Sequence, residues 1–395
     1  MNHPTPRVLD VATEIDTAWV QSVLRHAGHT GVEVASISAQ PIGAGNVSDT
    51  VRIGIEYARA ESVSPAAVVV KFRPSAPGAH EHGLRSGAYH REIGAYREVG
   101  GRQACRIPQC YWVAGDETNI NLVLEDLTAT TTPGNQAAGC GVAEAESLVA
   151  ELARLHSSFF PLTDEAAPAW LVRMSEVSDY WCDAAERGAG AALTRFATDL
   201  PPEFLAAIRD AVALVRTWYG LPQQHLTLTH GDPRVDNVLF ERSGAGVSAV
   251  LLDWQFTGLR NPMYDFAYFM SGSVDIAERR LHETRLLKTY IDVFAEKSSG
   301  YDEDQATADY RVQLLSGLYV TLAAVAVLPD NDVVNQLILA LLRRNCAAAV
   351  DWKSVESARR SGLISQMTNR SGTHSFRRRF RTCLSCRSTR VRQRT

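Results

Sequence analysis

Apolar and polar positions alternate along the first third of the chain in a pattern typical of β-strands. Apolar side chains fall at every second position from Val51 to Tyr57, and short apolar runs recur at 32–37, 67–72, 107–113 and 120–124. Alternation predicts a half-buried strand, and a short apolar run bounded by turn residues predicts a buried one. Apolar positions at helical spacing predict helices at 11–28 and 86–99, and the Gly/Ser/His-rich segment 74–87 is expected to be a loop.

The pattern changes to a helical one after residue 141. Leu148, Leu152, Leu155 and Phe159 follow the helical period, and His156 beside them is expected to be a hydrogen-bonded core residue. Further helices are expected at 175–188, 203–219, 274–298, 305–328 and 332–349. A Thr/Gly/Asn-rich segment at 128–140 separates the two patterns. The sequence therefore predicts an α+β protein with an N-lobe at 1–127, a larger helical C-lobe at 128–360 and a tail at 361–395.

Composition and charge limit the possible classes. A chain of 395 residues is long enough for two lobes, and its net charge of −4 does not by itself indicate a nucleic-acid partner. No acidic residue follows Glu356, whereas the last part of the chain is rich in arginine, so the tail is expected to be basic and disordered. No membrane span or signal pattern is expected, and seven scattered cysteines favour reduced thiols in the cytosol. Cys383 and Cys386 have zinc-knuckle spacing but lack a second ligand pair, which favours free thiols.

The candidate chemistry centres on the stretch from His230 to Phe240. Short apolar runs flank a polar loop that carries Asp232 and Asn237, and a second apolar run, Val250 to Leu252, ends at Asp253. Because a Gly-containing turn joins the two runs, a hairpin is expected to bring the three polar side chains together. The open alternatives are an ordinary Asp/Asn-rich turn and a strand-end carboxylate at Asp253.

These residue types suit phosphoryl transfer from ATP. The reaction requires positioning and charge neutralisation more than covalent chemistry. Asp232 would orient the acceptor hydroxyl and take its proton, while Asn237 and Asp253 would supply the few protein oxygens that Mg²⁺ prefers.

A lysine in an apolar strand is the second candidate feature. Lys71 ends the run Ala67 to Val70 in a chain that otherwise has only three lysines among 40 basic residues. It would meet the α and β phosphates of ATP, held in place by Glu92 on the following helix. The alternative for Glu92 is a solvated helix residue.

A glycine-containing turn lies between the first two strands. The segment 42–49 contains Gly43, Gly45, Asn46 and Ser48, and such a turn lets backbone amides approach a phosphate. An ordinary hairpin explains the same residues.

Together these motifs resemble the aminoglycoside phosphotransferase superfamily, which shares the bilobal protein-kinase-like fold. The stretch His-Gly-Asp-Pro-Arg-Val-Asp-Asn-Val-Leu-Phe at 230–240, followed by Asp-Trp-Gln at 253–255, is most similar to the ecdysteroid-kinase-like branch and the bacterial "phosphotransferase family". The segments 42–52, 89–93, 124–127, 152–156 and 265–269 resemble the same branch, so the likeness extends from about 15 to 350. It implies a small five-stranded antiparallel N-lobe and a larger, mainly helical C-lobe.

The resemblance also implies roles for individual residues. Asp232 would be the catalytic base, Asn237 and Asp253 would bind Mg²⁺, and Lys71 would pair with Glu92. The 42–49 turn would cover the ATP phosphates, and the backbone at Glu125–Leu127 would bind adenine as a hinge. The turn departs from the Gly-x-Gly-x-x-Gly pattern of protein kinases.

The sequence leaves the acceptor open. Members of the superfamily are similar in catalytic residues but act on aminoglycosides, macrolides, choline or sterol-like alcohols. The aromatic stretch at 170–181 favours a hydroxylated small molecule with an apolar surface over a cationic one. The alternatives are an aminoglycoside- or macrolide-type antibiotic kinase, an inactive nucleotide-binding protein, a protein kinase, which the short interval from Asp253 to Asp265 disfavours, and nonspecific polyanion binding through the tail.

Overall fold

The computed structural model describes residues 5–44, 48–244 and 246–365, apart from the side chains of residues 43 and 44, and has an α+β architecture. The Arg-rich segment after residue 365 and its two cysteines lie outside the described residues. In chain order the elements are α1 (Thr17–His26), β1 (Glu33–Ala44), β2 (Asp49–Arg59), β3 (Ala67–Phe72), α2 (Pro77–Ser86), α3 (Ala88–Arg102), β4 (Cys110–Gly115), β5 (Ile120–Glu125), β6 (Thr131–Pro133), α4 (Val142–Phe159), β7 (Val172–Arg173), α5 (Met174–Arg195), α6 (Pro202–Val212), α7 (Val215–Tyr219), β8 (Thr227–Thr229), β9 (Val238–Ser243), β10 (Gly246–Leu251), β11 (Gly258–Arg260), α8 (Met263–Ser273), α9 (Ile276–Ala295), α10 (Glu303–Gln313), α11 (Leu315–Val327), α12 (Asp332–Asp351) and α13 (354–365).

A five-stranded antiparallel sheet forms the N-terminal lobe, as the sequence predicts. The strand order is β1-β2-β3-β5-β4, with β3 in the centre. Side chains alternate across β3, so Val68 and Val70 join the core beneath α1 while Val69 packs in the core on the α3 side. Lys71 shares the face of Val69, which explains why a strand lysine can reach helix α3.

The segment after β3 corrects one expectation. Instead of a loop at 74–87, the chain forms helix α2, which begins at Pro77 and ends where Gly87 adopts φ +65°. Proline suits the first turn of a helix, and glycine takes the left-handed conformation that ends one. The composition of the segment is loop-like, but its two ends carry ordinary helix boundary residues.

The C-terminal lobe is built mainly from helices around a buried centre. Helix α8 lies in that centre, and each of its residues is buried. Because it is buried on all sides, its sequence lacks the apolar stripe from which a helix is recognised, and periodicity did not predict it. The other helices lie near their expected positions, although 203–219 divides into α6 and α7 and 305–328 divides into α10 and α11.

The segment between the lobes is ordered by pairing with the C-terminal lobe. Strand β6 pairs with β9, and buried Gln136 bonds to the backbone of Val235 and Gly272. A second connection is made by Arg106, which contacts Glu125 of the N-terminal sheet at 3.0 Å and Glu241 of β9 at 2.9 Å.

Two helical segments correct the expectation that no apolar run is long enough to span a membrane. By length and composition Glu303–Val327 and Asp332–Asp351 both qualify, with 67% and 44% of their most apolar windows buried inside the fold. Core helices of soluble proteins meet the same criteria, and α11 packs against α5 and α12 here. The two segments are weak evidence for a membrane protein.

Candidate active site

Asp265 of α8 fixes the loop that carries the candidate catalytic residues. Its Oδ2 accepts hydrogen bonds from the backbone N–H of His230 at 2.6 Å and from His156 Nε2 at 3.0 Å, and its Oδ1 accepts one from Gly231 N–H at 2.9 Å. Burial alone would raise the pKa of Asp265, but its hydrogen bonds from His156 and from the Gly231 N–H help to lower it on balance. The buried carboxylate therefore holds the start of the loop in one conformation, and His156 is a core residue as expected.

The Asp232 side chain lies just beyond that anchor and is 11% exposed. Its Oδ1 accepts from the Tyr268 hydroxyl at 2.8 Å, and its Oδ2 accepts from Asn237 Nδ2 at 3.0 Å and from Arg234 Nε at 3.2 Å. The charge of Asp232 raises the pKa of Arg234, and burial together with Asp232 raises that of Tyr268 well above its ordinary value. The Asp232 carboxylate is thus held in one orientation, and the Arg234 guanidinium lies within hydrogen-bond distance of it.

The β9–β10 hairpin brings Asn237 next to Asp253, as the sequence predicts. The N–H of Leu252 bonds to the carbonyl of Asn237 at 2.9 Å, so the residue before Asp253 is tied to the loop. Asp253 has φ +62°, a conformation uncommon for a residue other than glycine. Backbone strain of this kind is concentrated at functional sites, where the surrounding structure enforces it.

Lys71 joins the two lobes at the site. Its Nζ contacts Glu92 Oε1 at 2.7 Å and Asp253 Oδ1 at 2.9 Å. Burial alone would lower the pKa of Lys71, yet the charges of Asp253 and Glu92 raise it on balance. Of the two carboxylates, Asp253 has a lowered pKa because Lys71 outweighs burial, whereas burial raises the pKa of Glu92. The predicted Lys71–Glu92 pair is formed, and Glu92 is buried rather than solvated.

The β1–β2 turn lies at the Lys71 end of the sheet. Thr50 of β2 pairs with Lys71 of β3. The residues that precede Thr50 therefore lie at the same end of the sheet as Lys71. Gly43 is the penultimate residue of β1 and Ser48 is buried, whereas Gly45 and Asn46 lie outside the described residues. The phosphate-binding role of this turn stays a prediction.

The expected hinge follows β5. The Glu125 side chain is held by Arg106 and by the N–H of Gln109, both at 3.0 Å. The Leu127 carbonyl accepts hydrogen bonds from the N–H groups of Thr130 and Thr131, while its own N–H has no acceptor among the described residues. A free N–H at this point is compatible with the predicted adenine contact.

Several residues of the site were not predicted from the sequence. Asp265 and Tyr268 enter the sequence analysis only through the resemblance, and Gln136 lies in the Thr/Gly/Asn-rich segment. Each reaches the loop through contacts distant in sequence, and no local pattern marks Gln136. For Asp265 and Tyr268 the one local signal is a polar side chain within an apolar segment.

The oxygen ligands at this site suit a Mg²⁺ ion that is also bound by a nucleotide. They are too few for a metal ion held by protein side chains alone. Within the described ranges no group of three or more His, Cys, Asp or Glu side chains is placed to hold a metal ion. Asn237 uses its amide nitrogen on Asp232, and no described donor reaches its Oδ1, which leaves that oxygen available. One amide oxygen and one carboxylate are the sparse set that Mg²⁺ accepts when phosphates and water complete its shell.

Comparison with known proteins identifies the class. The model of the ecdysteroid kinase-like family matches residues 43–299, more than half of the 395-residue chain. The chain therefore belongs to the ecdysteroid kinase-like family. No curated protein sequence matches it significantly.

Solved structures share the fold at low sequence identity. Choline kinase from Cryptosporidium parvum Iowa II is 11% identical, with a TM-score of 0.50 over 89% of this chain and 97% of that one. A putative aminoglycoside phosphotransferase from Ralstonia eutropha JMP134 is 17% identical, with a TM-score of 0.48 over 86% and 98% of the two chains. Fold and family together support a phosphotransferase with a kinase-like architecture.

Proposed function

We propose that this protein is an ATP-dependent phosphotransferase that moves the γ-phosphate to a hydroxyl group of a small molecule. The observation that carries the proposal is the convergence of Lys71, Asp232, Asn237 and Asp253 in one cluster where the two lobes meet, with Lys71 bonded to both Glu92 and Asp253. These are the groups that nucleotide positioning, Mg²⁺ binding and hydroxyl orientation require.

Each side chain has a separate task in the proposed reaction. Lys71, held by Glu92, would contact the α and β phosphates, while Asn237 and Asp253 would hold Mg²⁺, whose charge neutralises the β and γ phosphates. Asp232 would accept the hydrogen bond of the acceptor hydroxyl and take its proton, and Tyr268 and Asn237 keep the carboxylate in the required orientation. Arg234, on the same loop, would face negative charge that develops on the transferred phosphoryl group.

The inactive nucleotide-binding alternative is disfavoured by this geometry. The Asp232 carboxylate is held in one orientation by three donors, and Asp253 is held in a strained conformation, with Gln255 Nε2 donating to its Oδ2 at 2.9 Å. Strain and buried charge are costly to keep where no function selects them.

The protein-kinase alternative lacks a place for a peptide-binding segment. Strand β11 begins at Gly258 and α8 at Met263, soon after Asp253, so a long activation segment has no room. A small-molecule acceptor fits the short connection better.

The proposed use of ATP and the free cysteines among the described residues favour a cytoplasmic location.

An assay that couples ADP production to a panel of hydroxylated small molecules tests the proposal. We expect acceptor-dependent ADP formation that requires Mg²⁺ and that Asp232→Asn reduces by about 100-fold or more. Absence of ADP formation with every acceptor, despite Mg²⁺-dependent nucleotide binding, would favour the inactive alternative.

A further inference from the structure

Two buried arginines beside the candidate active site have no carboxylate partner in the part of the chain that the structure describes. Arg91 of α3 is 7% exposed and Arg260 of β11 is 6% exposed. Among the described residues no Asp or Glu lies within salt-bridge distance of either guanidinium, whereas buried Arg279 contacts Glu283 and Asp351. A buried cation without a counter-ion is costly, so an unpaired pair of them calls for a function.

Both arginines are held by the segment that follows Asp253. Arg91 Nε donates to the carbonyl of Gln255 at 2.5 Å, and Arg260 Nη1 donates to the carbonyl of Phe256 at 3.1 Å and to Thr229 Oγ1 at 3.0 Å. Burial and the nearby charge of Arg260 lower the pKa of Arg91 to about 10. Because Gln255 and Phe256 are consecutive residues, the two guanidiniums are anchored to neighbouring carbonyls of one segment.

Part of the donor capacity of this pair is unused. Arg260 Nε is buried and has no hydrogen-bond partner among the described residues. The Nη atoms of Arg91 and Nη2 of Arg260 also make no hydrogen bond within the described part of the chain. A guanidinium presents its donors as a fork that matches the two oxygens of a carboxylate or phosphate.

The pair is close to the reacting group and to an aromatic surface. Arg260 packs against Gly231, the neighbour of Asp232, because a Cβ on Gly231 would lie 2.8 Å from Arg260 Nη1. The Phe256 ring contacts Trp181 at 6.4 Å between centroids. On α3, Gly94 lies one turn beyond Arg91 and faces the Trp170 ring. An anionic group at the arginines would therefore be flanked by apolar surface and lie near the hydroxyl site.

We propose that Arg91 and Arg260 form an oxyanion-binding subsite for the acceptor, so that the acceptor is a hydroxylated molecule with a carboxylate or phosphate group and an apolar body. This inference rests on the proposed phosphotransferase function and narrows its acceptor class. It excludes cationic acceptors such as amino alcohols and aminoglycosides, whose charge the two guanidiniums repel. It agrees with the expected apolar pocket and adds an anionic end to the molecule that fills it.

A purely structural role explains only part of the arrangement. Arg260 stacks over the Tyr264 ring at 4.8 Å and ties β11 to β8 through Thr229. Those contacts use Nη1 and the face of the guanidinium, and they leave Nε and Nη2 without a hydrogen-bond acceptor among the described residues. They do not explain why a second unpaired arginine, Arg91, lies close by.

Titration of the full-length protein with matched ligands tests the subsite. The probes are 3-hydroxyhexanoate, its neutral counterpart 1,3-hexanediol, glycerol 3-phosphate and choline, each followed by thermal shift with and without saturating Mg·ADP. We expect saturable stabilisation by 3-hydroxyhexanoate or glycerol 3-phosphate, and none by the diol or choline at the same concentration. Stabilisation by 3-hydroxyhexanoate would indicate that the subsite binds a carboxylate, and stabilisation by glycerol 3-phosphate would indicate that it binds a phosphate.

Variants locate the binding. Arg91→Gln should weaken the affinity for the anionic probe by about ten-fold or more, since a charge-assisted hydrogen bond is lost. Arg97→Gln, an exposed position on the same helix, should leave it unchanged. Arg260→Lys keeps a cation over Tyr264 but removes the fork, and is expected to weaken binding without unfolding the protein.

The inference is overturned if neither anion binds, or if Arg91→Gln and Arg260→Lys bind the anion as tightly as the wild type. Equal binding of the diol would also contradict it. Failure of the proposed function has a different result, namely no stabilisation of the wild type by Mg·ADP.

Discussion

At the residue scale, Asp232 is held by three hydrogen-bond donors. Its two carboxylate oxygens receive hydrogen bonds from Tyr268, Asn237 and Arg234, which leaves one orientation for the group. Asp232→Asn keeps the shape of the side chain but cannot take a proton. We therefore expect turnover to fall by about 100- to 10,000-fold with Mg·ADP binding retained. ADP-coupled kinetics and thermal shift measure the two quantities.

Asp292→Asn is a control for the loss of one negative charge. Asp292 is exposed on α9, and its one ion pair within the described residues is with Lys288, so its variant should keep wild-type turnover and stability. Wild-type turnover by Asp232→Asn would contradict the role assigned to Asp232.

The sequence predicts the main residues of the cleft because each is marked locally. Asp232 and Asn237 lie in one loop, Asp253 ends an apolar run, and Lys71 is a rare lysine in an apolar strand. Arg91 and Arg260 carry no such mark, since one lies within a helix and the other is the last residue of a short strand. Their lack of counter-ions is a property of the packed structure alone.

At the element scale, helix α8 supports the catalytic loop through Asp265. Asp265→Asn removes the charge that accepts two backbone N–H groups and His156. We expect a loss of roughly 3 kcal/mol or more in unfolding free energy at neutral pH, as when one partner of a buried charged network is removed. Thermal denaturation of the wild type and the variant measures the difference.

The effect of this variant should depend on pH. The pKa of Asp265 is lower in the fold than in the unfolded chain, where it is ~3.9. Its ionised form therefore contributes stability above that value, and the contribution is lost as the pH falls through the folded pKa. The melting temperatures of the wild type and Asp265→Asn should converge below pH ~4. A difference that stays constant between neutral and acid pH would show that Asp265 does not act through its charge.

The same element shows why the fold was only partly predictable. Helices with one apolar face, such as α4, were found from their periodicity, whereas α8 is buried all round and α2 has a loop-like composition. The antiparallel sheet was predicted because its strands alternate or form short apolar runs between turns. Burial on all sides removes the polar half of the pattern on which such predictions depend.

At the scale of the whole molecule, helix α13 packs onto the C-terminal lobe at the end of the described residues. Helix α13 buries Val355 and Ala358 in the C-terminal core, and Gly362 lies against Thr217 of α7. A chain that ends at residue 365 should keep the wild-type melting temperature and phosphotransfer. A chain that ends at residue 353 loses those contacts and should melt several degrees lower. Equal melting temperatures for the two truncations would contradict the assigned packing of α13.

The basic segment 366–395 is predicted to bind polyanions. Its arginines suit nonspecific polyanion binding, which weakens steeply with salt. Full-length protein should bind heparin-type polyanions at low salt and release them as salt rises, and the chain that ends at residue 365 should not bind. Retention of binding by the truncated chain would assign it to the body of the protein.

The central claim is that the two lobes form a Mg²⁺-dependent nucleotide site between Lys71 and the pair Asn237 and Asp253. Its most direct test is a thermal-shift titration of the full-length protein with ATP, with and without Mg²⁺, in parallel with Asp253→Asn. We predict a shift that grows with nucleotide concentration, about 2.7 kcal/mol of stabilisation at 100 times the dissociation constant, and that requires Mg²⁺. Asp253→Asn should lose the Mg²⁺-dependent part. No shift in the wild type, or the same shift with and without Mg²⁺ in both proteins, would contradict the account.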